Sequence, residues 1–286
     1  VAVPYTPATG ARLLVHPEAD APALRRQLLA LLQEVATRLG TSGLHLLFCT
    51  PQDCEAAAPL GGLQRSSFQF HWSNTANWAT FDAWLAALRA PARKQVKRER
   101  RLAAQHGLRL RLCPGEALRP ADCQALYRFY RHTIEEKGAV AYLSEPFFAA
   151  LCGPLRHLSL AIFADQGDSP VAGALYFRRG NSLFGRYWGC DRHYDALHFE
   201  LCYYAPIAWC LEHGVRHFEA GAQGEHKLKR GLLPSLCHSA HFLAHPALRR
   251  AVTYFVRQEA SAIQDELAWY QQRSPYRQDD ASPSAS

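Results

Sequence analysis

Three apolar strand patterns joined by hairpin-length turns constrain the fold of this chain more than any other feature. They run from 158 to 164, from 171 to 178 and from 182 to 190. The connections, Asp-Gln-Gly-Asp at 165–168 and Arg-Gly-Asn at 179–181, are rich in turn residues, so we predict an antiparallel meander. A meander excludes a purely doubly wound parallel sheet.

Helical and strand patterns flank this meander on both sides. Apolar residues at helical spacing predict helices over 23–39, 80–88, 91–106, 120–136, 144–151, 197–213 and 246–269. Further strands are predicted at 44–49, 65–72, 108–112, 215–220 and 239–243, and the alternation within 65–72 is typical of a half-buried strand. We therefore predict an α+β fold with a mixed, mainly antiparallel sheet flanked by helices.

Composition limits the class of protein. No apolar run approaches the roughly 18 residues of a membrane span. The nine cysteines are odd in number and contain no C-x-x-C pair, which argues against a disulfide framework or a zinc ribbon. We expect reduced cysteines and a cytoplasmic protein.

The net charge of +7 is concentrated in one segment, since residues 93 to 101 hold six basic residues and one acidic residue. On a helix Arg93, Lys97, Arg100 and Arg101 share a face, with Lys94 and Arg98 beside it. This face is either simply solvated or binds an anionic partner such as a phosphate.

A second dense group of functional side chains follows the strand predicted at 215–220. Its members between 219 and 230 are Glu219, Gln223, Glu225, His226, Lys227, Lys229 and Arg230. Gly221 and Gly224 allow the backbone to turn or to approach a ligand closely. The segment is either a polar loop that caps a helix or an active site.

The last strand of the meander carries Arg186, Tyr187 and Trp188, and alternation places Arg186 and Trp188 on one face. These residues are either core aromatics beside a partly exposed arginine or part of a site. His198 and Glu200 begin the next helix. Glu200 either complements the helix dipole or acts as a base in an aromatic surround.

The fourteen histidines raise the question of a metal. His213 and His217 are four residues apart, but Gly214 between them makes a shared helical face unfavourable. There is no H-E-x-x-H sequence. We predict no metal site.

Three stretches together resemble the Fem-like branch of the GNAT superfamily, the predicted N-acyltransferases associated with peptidoglycan biosynthesis. They are 93–101, the tract 183–189 with 197–200, and 218–228 with Arg230-Gly231. The resemblance extends from Pro4 to Arg277. It implies tandem GNAT-like lobes: the remainder of a first lobe at 1–90, a second, acyltransferase lobe at 91–270, and a tail at 271–286, disordered at its end. The chain starts at Val1 and contains no methionine, so we expect the first lobe to be incomplete.

The activity implied by the resemblance is aminolysis of an activated acyl group, a thioester or an ester, by an amine acceptor. In GNAT proteins the phosphates of the donor lie at the start of the helix after the meander, here 191–197. This stretch departs from the usual pattern because no glycine occurs between Gly189 and Gly214. Acyl-CoA and aminoacyl-tRNA both remain possible carriers.

The resemblance also suggests site residues. Glu219 matches the family's acidic position, Lys227 or Lys229 its lysine, and either Glu225 or His226 is the general base. The predicted donor-binding residues are Arg186, Tyr187, Trp188, His198, Glu200, Gln223, Lys229 and Arg230. Two rival hypotheses are a non-catalytic module that binds a phosphorylated ligand or nucleic acid through 93–101, and a metal-dependent hydrolase.

Overall fold

The computed structural model describes residues 6–221 and 224–277. In chain order its helices are α1 (Ala21–Arg38), α2 (Pro51–Ala57), α3 (Phe81–Ala87), α4 (Ala90–Gln105), α5 (Pro120–Glu136), α6 (Glu145–Ala149), α7 (Leu197–Phe199), α8 (Ala205–Glu212) and α9 (Pro246–Gln272). Its strands are β1 (Gly43–Cys49), β2 (Leu63–Ser73), β3 (Arg109–Pro114), β4 (Ser159–Gln166), β5 (Ser169–Arg179), β6 (Ser182–Cys190), β7 (His217–Glu219) and β8 (Leu233–Leu243). A π-helical segment (Glu200–Tyr204) joins α7 to α8, and a 3₁₀ segment spans Glu225–Arg230.

The chain divides into two compact units. Unit 1 contains residues 1–69 and 234–273, and unit 2 contains residues 70–233 and 274–286. Strand β2 passes from unit 1 into unit 2. Whether residues 1–90 and 91–270 are two related lobes stays a prediction.

Unit 1 is built from α1, β1, α2, the first part of β2, most of β8, and α9. Its strands are hydrogen-bonded in the order β1-β8-β2, and β1 is antiparallel to β8. Helix α1 begins where the Asp20 side chain accepts a hydrogen bond from the amide of Ala23. Leu29 of this helix packs with Leu46 and Phe242 in the core of the unit.

Unit 2 holds the strands β2-β7-β6-β5-β4-β3 in that order. Strands β3 to β6 pair antiparallel in sequence, so the predicted meander is confirmed. Strands β6 and β7 are parallel, as expected for strands connected by a long helical crossover. The α+β class with mixed, mainly antiparallel strands is therefore confirmed.

Helix α5 packs closely on the meander. Its Phe129 and Tyr130 belong to a core with Phe148 and Phe163. A side chain at Gly189 would place its Cβ atom 2.3 Å from the carbonyl oxygen of Phe129. Glycine at this position is therefore what allows the helix backbone to approach β6.

The structure corrects two predictions about strands. The alternation of 65–72 does not describe a half-buried strand at its end, since Gln69, Phe70, His71 and Trp72 are all between 0% and 4% exposed. Polarity alternates there, but burial does not. Strand β8 begins six residues before the predicted start at 239, at Leu233. Within 6–221 and 224–277, no helix combines the length and the apolar character that crossing a membrane requires.

Candidate functional site

A cavity of about 320 Å³ lies in unit 2 beyond the paired part of β6 and β7. The parallel pairing joins Ser182–Phe184 to His217–Glu219, and the cavity is lined by later residues of β6 and by the chain that follows β7. Further wall residues come from α5 and its C-terminal end, from β5, from α7 and from the π-helical segment. The lining residues include Thr133, Lys137, Arg186, Trp188, His198, Tyr203 and Gly221.

A β-bulge shapes the wall that β6 contributes. Leu175 pairs with Tyr187 and Tyr176 pairs with Gly185, so Arg186 is an extra residue without a counterpart in β5. Simple alternation therefore does not hold here, and Arg186, Tyr187 and Trp188 all line the cavity. The Tyr187 hydroxyl lies 2.8 Å from the Tyr142 hydroxyl.

The rings of His198 and His226 both lie close to Tyr203. The His198 ring centre is 5.3 Å from that of Trp188 and 5.6 Å from that of Tyr203. The Tyr203 hydroxyl is 3.0 Å from Nε2 of His226. Partial desolvation and nearby cations lower the pKa of His226, whose surface stays exposed, and burial lowers the pKa of His198 to about 4. Both imidazoles are therefore neutral at neutral pH.

Lys227 is buried, with 3% of its surface exposed. Its Nζ atom donates a 2.7 Å hydrogen bond to the carbonyl oxygen of Gly221, a residue of the cavity wall. Burial lowers the pKa of Lys227 to about 8. The ammonium group therefore changes charge close to physiological pH.

An ion pair fixes the 3₁₀ segment on the basic helix. Arg230 donates to both carboxylate oxygens of Glu99, at 3.0 and 2.7 Å, and the Tyr204 hydroxyl also donates to Glu99. A third hydrogen bond of 2.7 Å runs from Arg230 to the carbonyl of His226. Glu99 and Arg230 are each 4% exposed. The one acid of the basic run thus positions the segment that carries His226 and Lys227.

A buried polar cluster lies on the pair β2–β7. One ring nitrogen each of His71 and His217 and a carboxylate oxygen of Glu219 all lie within 4.8 Å of one another. Nδ1 of His217 is 2.8 Å from the Ser73 hydroxyl. Burial lowers the pKa of His217, and burial with the charges of His217 and Lys227 lowers the pKa of His71 to about 3.

A second cavity of unit 2, about 530 Å³, lies along the basic helix. Its walls combine the apolar residues Phe81, Leu85, Leu108, Leu110 and Leu197 with Lys97, Arg100, Arg101 and Glu200. Arg100 Nε lies 3.1 Å from a Glu200 oxygen, and its guanidinium lies 4.5 Å from the centre of the Phe81 ring. Arg93 instead donates to the carbonyls of Ala86 and Leu88 at the end of α3.

The site residues predicted from the sequence thus lie in the two cavities, in buried contacts and on the exposed surface. His198 lines the smaller cavity and Glu200 the larger, although only Phe199 separates them in sequence. The other cations of the basic run, Lys94 and Arg98, are exposed, as are Glu225 and Lys229. Gln223 lies outside the described residues.

Sequence reasoning missed two groups of residues. His71, Ser73 and His217 come together only through strand pairing. Tyr203 reads in the sequence as one more aromatic of a helix, and its contact with His226 spans 23 residues. The described residues that line the smaller cavity include none from the predicted phosphate-binding stretch 191–197, of which Leu197 lines the larger cavity instead.

Comparison with known proteins places this geometry in a family. Structural similarity extends to FemX (TM-score 0.56, 10% identity, 88% of this chain and 85% of that chain) and to L-PGS from Bacillus licheniformis (0.55, 10%, 84% and 79%). A conserved protein of unknown function from Bacteroides thetaiotaomicron VPI-5482 is also similar (0.52, 12%, 76% and 75%). At these identities the likeness concerns the fold alone.

A comparison with curated protein sequences gives no match. Residues 1–278, by contrast, match the FemAB-like family, described as peptidoglycan biosynthesis/recognition. The match covers nearly the whole chain. The protein therefore belongs to the FemAB-like family.

Proposed function

We propose that the protein is an N-acyltransferase that moves an acyl or aminoacyl group from an activated carrier to an amine. The observation that carries this proposal is the hydrogen bond between Tyr203, on the wall of the smaller cavity, and the neutral imidazole of His226. It provides a route by which a proton can leave an attacking amine. The carrier is an acyl-CoA or an aminoacyl-tRNA.

The reaction needs little from the protein beyond positioning, proton removal and charge stabilisation. The amine nitrogen attacks the acyl carbon, a C–N bond forms, and the carbonyl electrons move to oxygen. The amine proton passes to the Tyr203 oxygen as the Tyr203 proton passes to His226. The C–S or C–O bond to the carrier then breaks, and the leaving group takes the proton back through the same pair.

Cations around the cavity suit the oxyanion of this reaction. Arg186 and Lys137 line the cavity, and the Lys227 ammonium is fixed on the Gly221 carbonyl. Lys227 is buried and Arg186 is partly buried, and the lower local dielectric strengthens their interaction with a developing negative charge. Of the predicted catalytic residues, we assign the base to His226 and charge stabilisation to Lys227. Glu225 remains the alternative general base, and Glu219 remains the candidate for the family's acidic position.

The test uses hydroxylamine as a small surrogate amine, with panels of acyl-CoA and aminoacyl-tRNA donors, and measures hydroxamate formation. Family membership makes peptidoglycan precursors with a free amine the first natural acceptors to try. Tyr203→Phe keeps the ring and removes the hydroxyl, so we expect a rate loss of about 10²- to 10⁴-fold, the usual contribution of general base catalysis. His226→Ala should lose about as much.

His213→Ala is the matched control, because His213 contacts Trp209 on α8 and lies outside both cavities. It should keep the wild-type rate. Wild-type rates in both Tyr203→Phe and His226→Ala, with the fold intact, would contradict the proposed relay.

One observation favours a second candidate, a module that binds an anionic ligand without catalysis. The larger cavity joins apolar walls to three cations of the basic helix. Transfer to no amine from any donor, together with binding of an anion there, would favour this candidate over the transferase.

A further inference from the structure

Strand pairing brings two histidines and a carboxylate onto one face of unit 2. His71 lies opposite Glu219, and Ser73 lies opposite His217. Opposed residues of an antiparallel pair point to the same side, as do residues two apart on one strand. All four side chains therefore share a face, and the three ligand-type atoms of His71, His217 and Glu219 lie within 4.8 Å of one another.

We infer that these three residues form a binding site for a divalent transition-metal ion of the zinc class. Two imidazoles and one carboxylate are a donor set that holds zinc with a fourth position open. The ligand atoms of such a site lie about 2 Å from the ion and about 3.3 Å from one another, so separations of up to 4.8 Å need to shorten by at most roughly 1.5 Å. Rotation of the side chains is enough for a movement of this size.

The surroundings of the cluster suit a metal. Nδ1 of His217 lies 2.8 Å from the Ser73 hydroxyl, so an N–H at Nδ1 can donate to Ser73 while the lone pair of Nε2 binds the ion. This outer-shell hydrogen bond is a regular feature of metal-binding histidines. His71 and Glu219 are 4% and 6% exposed, and burial favours the neutral imidazoles that metal binding requires.

The positive charge of Lys227 repels a bound cation, and this gives a further test of the proposed metal site. The Lys227 Nζ atom is held on the carbonyl oxygen of Gly221, two residues after the proposed ligand Glu219. A positive charge near the ligands raises the free energy of a bound cation. The uncharged, similarly sized variant Lys227→Met should therefore bind the metal more tightly than wild type, by about tenfold for an interaction of moderate effective dielectric.

This inference goes beyond the proposed acyl transfer and departs from the sequence-based prediction of no metal. Sequence spacing groups His217 with His213, four residues before it, whereas strand pairing places His217 beside His71. Glu219, predicted from the resemblance as a catalytic carboxylate, would serve here as a ligand. The metal test below needs no acyl donor, so its outcome is independent of the transferase assay.

The experiment titrates Co²⁺ into the chelator-treated full chain and follows both ligand-field absorption and heat. We expect one equivalent bound with the strong absorption of a four-coordinate ion, displaced by Zn²⁺. His217→Gln and Glu219→Gln should each weaken binding by more than about 100-fold, and Ser73→Ala by about 10- to 100-fold, the cost of an outer-shell partner. His213→Gln is the control and should bind as wild type does.

The wild-type titration decides the matter even where a ligand variant folds poorly. Less than one equivalent of Co²⁺ at micromolar protein, or only the weak absorption of a six-coordinate ion, would overturn the site. Unchanged affinity in folded His217→Gln and Glu219→Gln would overturn it as well, since the bound ion would then lie elsewhere, for example at the pair His45 and His241 of unit 1, whose Nδ1 atoms are 2.9 Å apart.

Discussion

The two cavities of unit 2 are lined by neighbouring residues of one helical stretch, yet they differ in kind. His198 contributes to the smaller cavity, where the partly buried His198 and Arg186 have lowered pKa values. Glu200 contributes to the larger cavity, beside cations that are exposed and hydrated. A run of charged residues in the sequence thus indicates an exposed surface, whereas a few polar groups shielded from water indicate a candidate active site.

The largest expected effect concerns Glu99, which connects the two regions. Glu99→Ala leaves the buried Arg230 without its partner, so we expect a loss of about 3–5 kcal/mol in the free energy of unfolding. Urea denaturation at neutral pH measures it. Arg98→Ala, the exposed neighbour on the same helix, should stay within about 0.5 kcal/mol of wild type. Equal effects in the two variants would mean that the pair does not organise the 3₁₀ segment.

The next prediction concerns the pH dependence of stability at the smaller cavity. Lys227 has a folded-state pKa of about 8 against an ordinary value of 10.5, so between these values the unfolded chain binds more protons than the folded chain. The free energy of unfolding should therefore rise with pH in this window, by on the order of 3 kcal/mol from this residue.

Lys227→Met removes this contribution, so the free energy of unfolding of wild type minus that of the variant should rise over this window, and the variant should lack this rise. Denaturant titrations at several pH values between about 8 and 10.5 measure the difference. A difference that stays flat over the window would show that Lys227 is not desolvated in solution.

The smallest effect belongs to the larger cavity. Lys97→Ala and Arg101→Ala remove exposed cations from its wall, and each should reduce the salt slope of binding to unacylated tRNA by about one. Arg179→Ala, an exposed arginine of the hairpin between β5 and β6, should leave the slope unchanged. Equal slopes in all three variants would mean that binding is not centred on the basic helix.

Much of the fold follows from local patterns. The predicted meander and the helices predicted over 80–88 and 91–106 all occur in the structure, because each depends on periodicity, a cap or a turn within a few residues. A predicted strand boundary was wrong where pairing between distant segments sets the length of the strand. Strand β8 is longer than predicted, since pairing with β1 and β2, rather than its own composition, sets its length.

Local sequence patterns indicate most of the helices and strands in their order, and the dense polar segment at 219–230. Tertiary packing sets which of those polar groups act together. Glu99, counted as the lone acid of a basic run, became the buried partner of Arg230, 131 residues away. Pairing of β2 with β7 brings His71 close to His217, and Tyr203 contacts His226. Such contacts depend on strand register and helix packing, which no local periodicity encodes, because they are settled only when distant segments bury their surfaces together.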